Sequence, residues 1–273
     1  MTPIRPINPE LAVQPPPPAP LPIVFEDADV LVVNKPPGLL IHRSALDAHE
    51  PDTLMERLRH QLGLAPTDFL APAHRLDKGT SGLLLLARHP QAARTLGAAL
   101  SAGHIHKRYL ALVRGWPAAQ LQCEHPLARD PELPSTGQPQ LPALTHFRRL
   151  ARVEWPFAVD GRHPSSRYAL LEAQPVTGRR HQIRRHLKHL AHPLIGDATH
   201  GKGPHNRAVA AWLGQQRLWL HAQHLELTHP GTGQPLHLYA APGAEWAQLR
   251  AHGPWLEDAA CASPNASTST SAC

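Results

Sequence analysis

The run Leu83-Leu84-Leu85-Leu86-Ala87, with four consecutive leucines, is the sequence feature that most constrains what the chain can fold into. A bilayer needs about 20 apolar residues in a row, so this run cannot span one. Its length, bounded by Gly82 and Arg88, is that of a buried strand. Val30 to Val33, Tyr109 to Val113 and Tyr168 to Leu171 have the same character. Helical periodicity lies between them. Thr53 to Leu62 carries Leu54, Leu58 and Leu62 on one stripe. Pro90 to Leu100 opens with proline in its first turn and reaches Gly103 as a stop. Arg179 to Leu190 places Ile183, Leu187 and Leu190 on one face and covers the others with Arg, Lys and His. Strands outnumber helices and do not alternate strictly with them, which favours a mixed α+β sheet over a doubly wound parallel one.

The ends read differently from the middle. Residues 1–22, with Pro15 to Pro18 in a row, predict an extended leader that packs on nothing. Residues 257–273 are rich in Ser, Thr, Ala and Asn and predict a disordered tail. One globular segment, 23–256, lies between. The N-terminus lacks the layout of a signal peptide, and Cys123, Cys261 and Cys273 form no framework, so a reduced, cytoplasmic protein is expected. Lys and Arg outnumber Asp and Glu by 27 to 21, with 21 histidines besides, a balance that suits a polyanionic partner.

Two segments concentrate reactive side chains. In HRLDKGTSGLLLLAR (74–88), Thr80-Ser81-Gly82 reads as a turn feeding the Leu83–Leu86 strand, which puts Asp77 on a loop with a rigid base. Arg75 stands two residues before it, on the same side of an extended segment, where a local ion pair is the ordinary explanation. In TGRRHQIRRHLKHLAHPLIGD (177–197), Thr177 is placed to cap a helix whose first turn carries Arg179 and Arg180, a combination that attracts phosphate. Arg180, Arg184 and Lys188 recur every four residues, although such a stripe is ordinarily just a solvated face. His181 and His186 point ~140° apart on a helix. His186 and His189 share a face without an HExxH pattern or a cysteine pair, so no metal is expected. Nucleotide-binding glycine loops of either common type are absent, so no cofactor is expected either.

Taken together, these blocks resemble the RluA-type pseudouridine synthases. HRLDKGTSGLLLLAR is similar to that family's signature, VNKPPGLLIHRS (33–44) to its N-terminal motif and HKRYLALVRG (106–115) to the strand bearing its active-site tyrosine. GRRHQIRRH with HPLIGD, and LHAQHLELTHP (220–230), resemble the remaining blocks, in order. The resemblance implies a single α+β catalytic domain built on a long, bent, mainly antiparallel sheet flanked by helices and loops, with a central active-site cleft. Many relatives add a small N-terminal S4-type domain; here the first block starts near Val30 and none is expected.

By the same resemblance, Asp77 is the nucleophile, Tyr109 stacks on the target base, and Arg184 pairs with the nucleophilic carboxylate. Arg75 fills the gap left by the flipped base, and Ile183 lines the base pocket. Arg180, His181 and Lys188 are further candidates for contacting RNA. The chemistry asks for such groups. Turning uridine into pseudouridine means detaching the base, rotating it and rejoining carbon to carbon without redox change, for which one carboxylate suffices as nucleophile, attacking either the ribose or C6 of the ring. A contacting guanidinium favours the ionised carboxylate against the desolvation that opposes it. Flipping costs a few kcal/mol of unstacking, which a side chain in the vacated space offsets.

Some segments resemble one branch of that family, which modifies uridine 65 of tRNA: IHRS at 41–44, RHPSSRY at 162–168, and LKHLAHPLIGDATHG continuing to Arg207. His200 stands where the wider family has a tyrosine before glycine. The expected partner is therefore tRNA, with ribosomal RNA as the alternative, and the enzyme is expected to act as a monomer without a membrane.

Overall fold

The Leu83–Ala87 run forms the inner part of a strand at the middle of an 11-stranded sheet, and every one of its residues is buried. The computed structural model describes residues 19–43 and 52–258. The leader and the tail expected at the two ends lie almost entirely outside those residues, as do Cys261 and Cys273.

The chain runs β1 (Ile23–Glu26), β2 (Val30–Lys35), α1 (Leu54–Gln61), β3 (Ala71–Pro72), β4 (Ser81–Ala87), α2 (Pro90–Ser101), β5 (His106–Arg114) and β6 (Gln120–Glu124). A small hairpin follows, β7 (Leu127–Ala128) with β8 (Gln140–Leu141), and then the long strands β9 (Leu144–Trp155) and β10 (Ser166–Pro175). After α3 (Gln182–His189) and α4 (Gly203–Leu213) come β11 (Leu220–Thr228), β12 (Pro235–Tyr239), α5 (Ala244–Ala251) and β13 (Leu256–Glu257). The order across the main sheet is β1-β2-β4-β11-β5-β10-β9-β13, with β3, β6 and β12 paired at its margins. Every pairing is antiparallel except β4 with β11 at the centre. This is the mixed, mainly antiparallel α+β architecture expected.

β4 shows why its sequence is continuously apolar. Leu84 and Leu86 pack on one side with Leu54 and Leu58 of α1, while Leu83 and Leu85 pack on the other with Leu96 of α2. Covered on both faces, the strand has no solvent side on which to alternate. Each buried leucine contributes about 1.5–3 kcal/mol. α1 is capped by Thr53, whose hydroxyl accepts from Glu56 N at 3.3 Å. The proline expected in the first turn of α2 is there, and the chain leaves that helix through Gly103 at φ +75°.

Two boundaries differ from expectation. β4 begins at Ser81, because Ser81 and Gly82 are the residues that pair with His221 and Ala222 of β11; the predicted turn is already strand. α3 begins at Gln182, so Arg179 and Arg180 precede the helix. Thr177 does not cap it. Its hydroxyl instead donates to the Gln182 side chain at 2.7 Å and accepts from Leu144 N at 3.1 Å, tying the approach to α3 to the start of β9. No helix among the described residues is long and apolar enough to cross a membrane.

Candidate active site

Asp77 sits on the loop entering β4, where the parallel β4–β11 seam meets the antiparallel half of the sheet. The loop is pinned from below. Lys35, at the end of β2, is fully buried and donates to the carbonyls of Pro36 at 2.9 Å, Leu39 at 2.8 Å and Lys78 at 3.0 Å. Gly38 N adds a bond to Lys78 O at 2.8 Å, and Thr80 N closes the turn onto Asp77 O at 3.0 Å. Burial pulls the Lys35 ammonium down to about 7, against the opposing pull of the Asp77 charge. Reading the sequence for chemistry overlooked Lys35. Its signal was a lone cation closing an apolar strand, VNKPPG.

A cavity of ~610 Å³ opens over this loop. Of the residues singled out in the sequence, Asp77, Tyr109, Arg184 and Ile183 line it, and so do Arg75, Arg180 and His181. Lys188 does not; it is exposed on the last turn of α3. Arg75 makes no ion pair with Asp77, in contrast to the local pair the spacing suggested, and stands exposed at the rim. Arg180 is engaged by the β7–β8 hairpin, where it pairs with Asp130 at 3.0 Å and also with Glu132.

The partner of Asp77 is Arg184. Its Nη1 donates to Asp77 Oδ2 at 2.8 Å, while Nε and Nη2 donate to the two oxygens of Asp197 at 2.7 and 2.8 Å. Asp197 is completely buried, and its Oδ1 also accepts from Thr199 N and His200 N. Burial alone would raise the Asp197 carboxyl; the bonds and charge of Arg184 and the His200 N–H outweigh it and hold it below its ordinary range. Burial likewise works against the charge on Arg184, yet Asp197 and then Asp77 push its pKa above the usual value, so it stays a cation. The result is a guanidinium locked by one carboxylate so that its free edge meets another, whose side chain keeps 19% of its surface open. Asp197, present in the HPLIGD block, was not assigned a part in the sequence reading.

Tyr109 projects from β5 into the cavity, with Ala173 and Ala222 as its cross-strand neighbours. Those short side chains leave its ring uncrowded along the sheet. Burial, reinforced by the charge on Asp77, raises the pKa of its hydroxyl. The group is therefore a neutral phenol, suited to donating or relaying a proton and a poor base in the free protein. Lys107 and His74 also line the cavity; burial lowers both, His74 to about 3, leaving its Nε2 to accept from Leu85 N at 3.2 Å.

The other histidines of the 177–197 segment have structural partners. His186 is fully buried between Thr145 Oγ1 at 2.9 Å and His125 O at 3.1 Å, and His189 stacks on His125 with ring centroids 3.9 Å apart. Asp27, Asp29 and His229 cluster tightly enough to suggest a metal site, but they bond to each other's elements: Asp27 to His229, Asp29 N and Val30 N, and Asp29 to His89.

A carboxylate paired with a guanidinium and a tyrosine ring thus line one open cleft at the middle of a mixed sheet. Residues 29–189 match the family model described as RNA pseudouridylate synthase, and the chain belongs to that family. It is 42% identical over 240 residues to the tRNA pseudouridine synthase C of Salmonella typhi, a match covering 86% of this chain and 90% of that protein. The tRNA pseudouridine synthase C of Vibrio cholerae is 40% identical over 242 residues, covering 87% and 97%. Among solved structures, Human RNA Pseudouridylate Synthase Domain Containing 1 superposes with a TM-score of 0.63 at 26% identity, covering 81% of this chain and 83% of that one.

Proposed function

We propose that this protein isomerises a uridine of tRNA to pseudouridine in the cytoplasm, at position 65 by the likeness of its segments to the branch that modifies that nucleotide. Asp77 acts as nucleophile after the uridine is flipped into the cavity. Arg184 keeps its carboxylate ionised and oriented, Tyr109 stacks on the base, and Ile183 forms a wall of the pocket. Arg75, exposed at the rim, enters the space the base leaves in the RNA. The observation that carries this reading is the 2.8 Å contact between Arg184 and an Asp77 that remains open to the cleft. The names of its relatives support tRNA as substrate.

Asp77→Asn preserves shape and removes the nucleophile. It is expected to abolish pseudouridine formation while leaving affinity for tRNA close to that of the parent. Turnover by this variant would refute the assignment. Mapping pseudouridines across total RNA with and without the gene names the target; loss of a ribosomal site with tRNA unchanged would replace the tRNA reading.

A further inference from the structure

Asp77 has two carboxylate oxygens, and Arg184 takes only Oδ2. Oδ1 faces Nε2 of His181 at 3.7 Å. The other ring nitrogen of His181, Nδ1, lies 3.1 Å from Nε2 of His200, with the rings edge to face at a centroid distance of 5.3 Å. Burial is the main cause that lowers both imidazoles, His181 to about 4, so both rings are neutral near pH 7. Two neutral imidazoles in such contact share one proton. With that proton on His181 Nδ1, the bare lone pair of Nε2 would point at the Asp77 carboxylate. With it on His200 Nε2, His181 carries its own proton on Nε2 and turns an N–H toward Asp77. Electrostatics selects the second arrangement.

The backbone is built around the same geometry. His181 has φ +54°, in the left-handed region that few residues other than glycine occupy, and its ring makes no capping bond to α3. His200 is held at its own backbone, where its N–H donates to Asp197 Oδ1 at 2.9 Å. Asp197 thus roots two arms that converge on one carboxylate. Arg184 reaches Oδ2 directly; His200 reaches toward Oδ1 through His181.

We propose that His200 is a positioning residue that locks His181 as an Nε2–H donor aimed at Asp77 Oδ1 and the uracil ring beside it. The proposal rests on the reading of Asp77 as nucleophile. Breaking the bond between C1′ and N1 leaves its electron pair on the ring, spread over N1 and the carbonyl oxygens, and needs no oxidant or reductant. A neutral, preorganised N–H stabilises that charge without surrendering its proton. In the free protein the 3.7 Å gap to Asp77 is too long for a hydrogen bond, which leaves the N–H available to a substrate oxygen.

The test combines tautomer and turnover in the full-length protein. In ¹⁵N–¹H correlation spectra, assigned by subtraction with His181→Gln, the His181 ring is expected with its proton on Nε2. His200→Leu removes the donor and is expected to mix the two tautomers, whereas His200→Gln, whose amide nitrogen has similar reach, preserves the Nε2–H form. With tRNA, His181→Leu should lower kcat about 100-fold and His200→Leu at least about tenfold, with KM nearly unchanged. His200→Gln should recover most of the loss. His181→Gly relieves the left-handed backbone, so its Tm should not fall while kcat does; a purely structural His181 would lose both together. A parent His181 protonated on Nδ1, or a His200→Leu variant with unchanged tautomer and kcat, overturns the proposal. Turnover by Asp77→Asn would instead remove the nucleophile assignment while leaving the tautomer result standing.

Discussion

Gly82 passes so close to Ala222 that a Cβ on it would lie 2.2 Å from the Ala222 carbonyl oxygen and 2.5 Å from its nitrogen. The residue also has φ +111°, where L side chains are strained. This contact belongs to the short β4–β11 pairing, five residues after Asp77, so the glycine allows the strand that follows Asp77 to meet the other half of the sheet.

Gly82→Ala is therefore expected to be among the most damaging single changes. The methyl group would collide with backbone on a neighbouring strand, which cannot rotate away as a side chain can. A loss of about 3–5 kcal/mol, or failure to accumulate folded, is expected in urea unfolding. A variant that unfolds at the parent's urea midpoint would contradict the close approach.

Arg184 illustrates why charge alone does not suffice. It meets Asp197 with two nitrogens and Asp77 with a third, a geometry that a planar guanidinium supplies and an ammonium does not. Arg184→Lys should reduce single-turnover pseudouridine formation about 10²–10³-fold even though the charge is kept. Asp197→Asn should also slow the reaction, through misplacement of Arg184, and destabilise the fold, since it leaves a buried cation partly uncompensated. Activity of Arg184→Lys within a few-fold of the parent would show that Asp77 needs only a nearby positive charge.

Much of this architecture was legible in the sequence because it rests on local patterns. Leu83 to Ala87 and the Leu54, Leu58 stripe declare burial by periodicity, and the motif blocks placed Asp77, Tyr109 and Arg184 before their meeting in space was known. What escaped depends on distant contacts. Thr177 has the residue type and position of a helix cap, but its hydroxyl is drawn away by Gln182 and Leu144, and α3 starts later as a result. Arg180 reads as a phosphate ligand until the acidic hairpin about fifty residues earlier folds onto it. Lys35 and Asp197 look like ordinary surface charges in the sequence and become buried anchors only when the sheet closes around them.

Neutral, half-buried histidines make the fold sensitive to acid. His74 is lowered to about 3 and His181 to about 4, in each case chiefly by burial. Between those values and the ordinary 6.5 the unfolded chain binds protons that the folded one refuses. Stability is then present in full above pH 6.5 and falls as the pH drops toward 4, each such histidine adding a slope of up to about 1.4 kcal/mol per pH unit. Urea unfolding at a series of pH values should show this decline, and His74→Gln should flatten it. An unchanged slope in that variant would mean that His74 takes up its proton in the folded state.

The hairpin pairing of Arg180 leads to a prediction about RNA affinity. Arg180 lines the cavity but is engaged by Asp130 and Glu132, so any phosphate it contacts must displace them. Those carboxylates are more than a third exposed, and each pair is worth at most about 1 kcal/mol. Removing both, as Asp130→Asn with Glu132→Gln, should tighten tRNA binding several-fold. It should also steepen the dependence of log K on log salt by up to ~0.9, the increment for one additional phosphate contact to a duplex. Arg180→Gln in the same background should cancel both effects. Binding titrations from low to high salt distinguish the outcomes: if the double variant binds as the parent does at every salt concentration, Arg180 serves the hairpin and leaves the RNA to other cations.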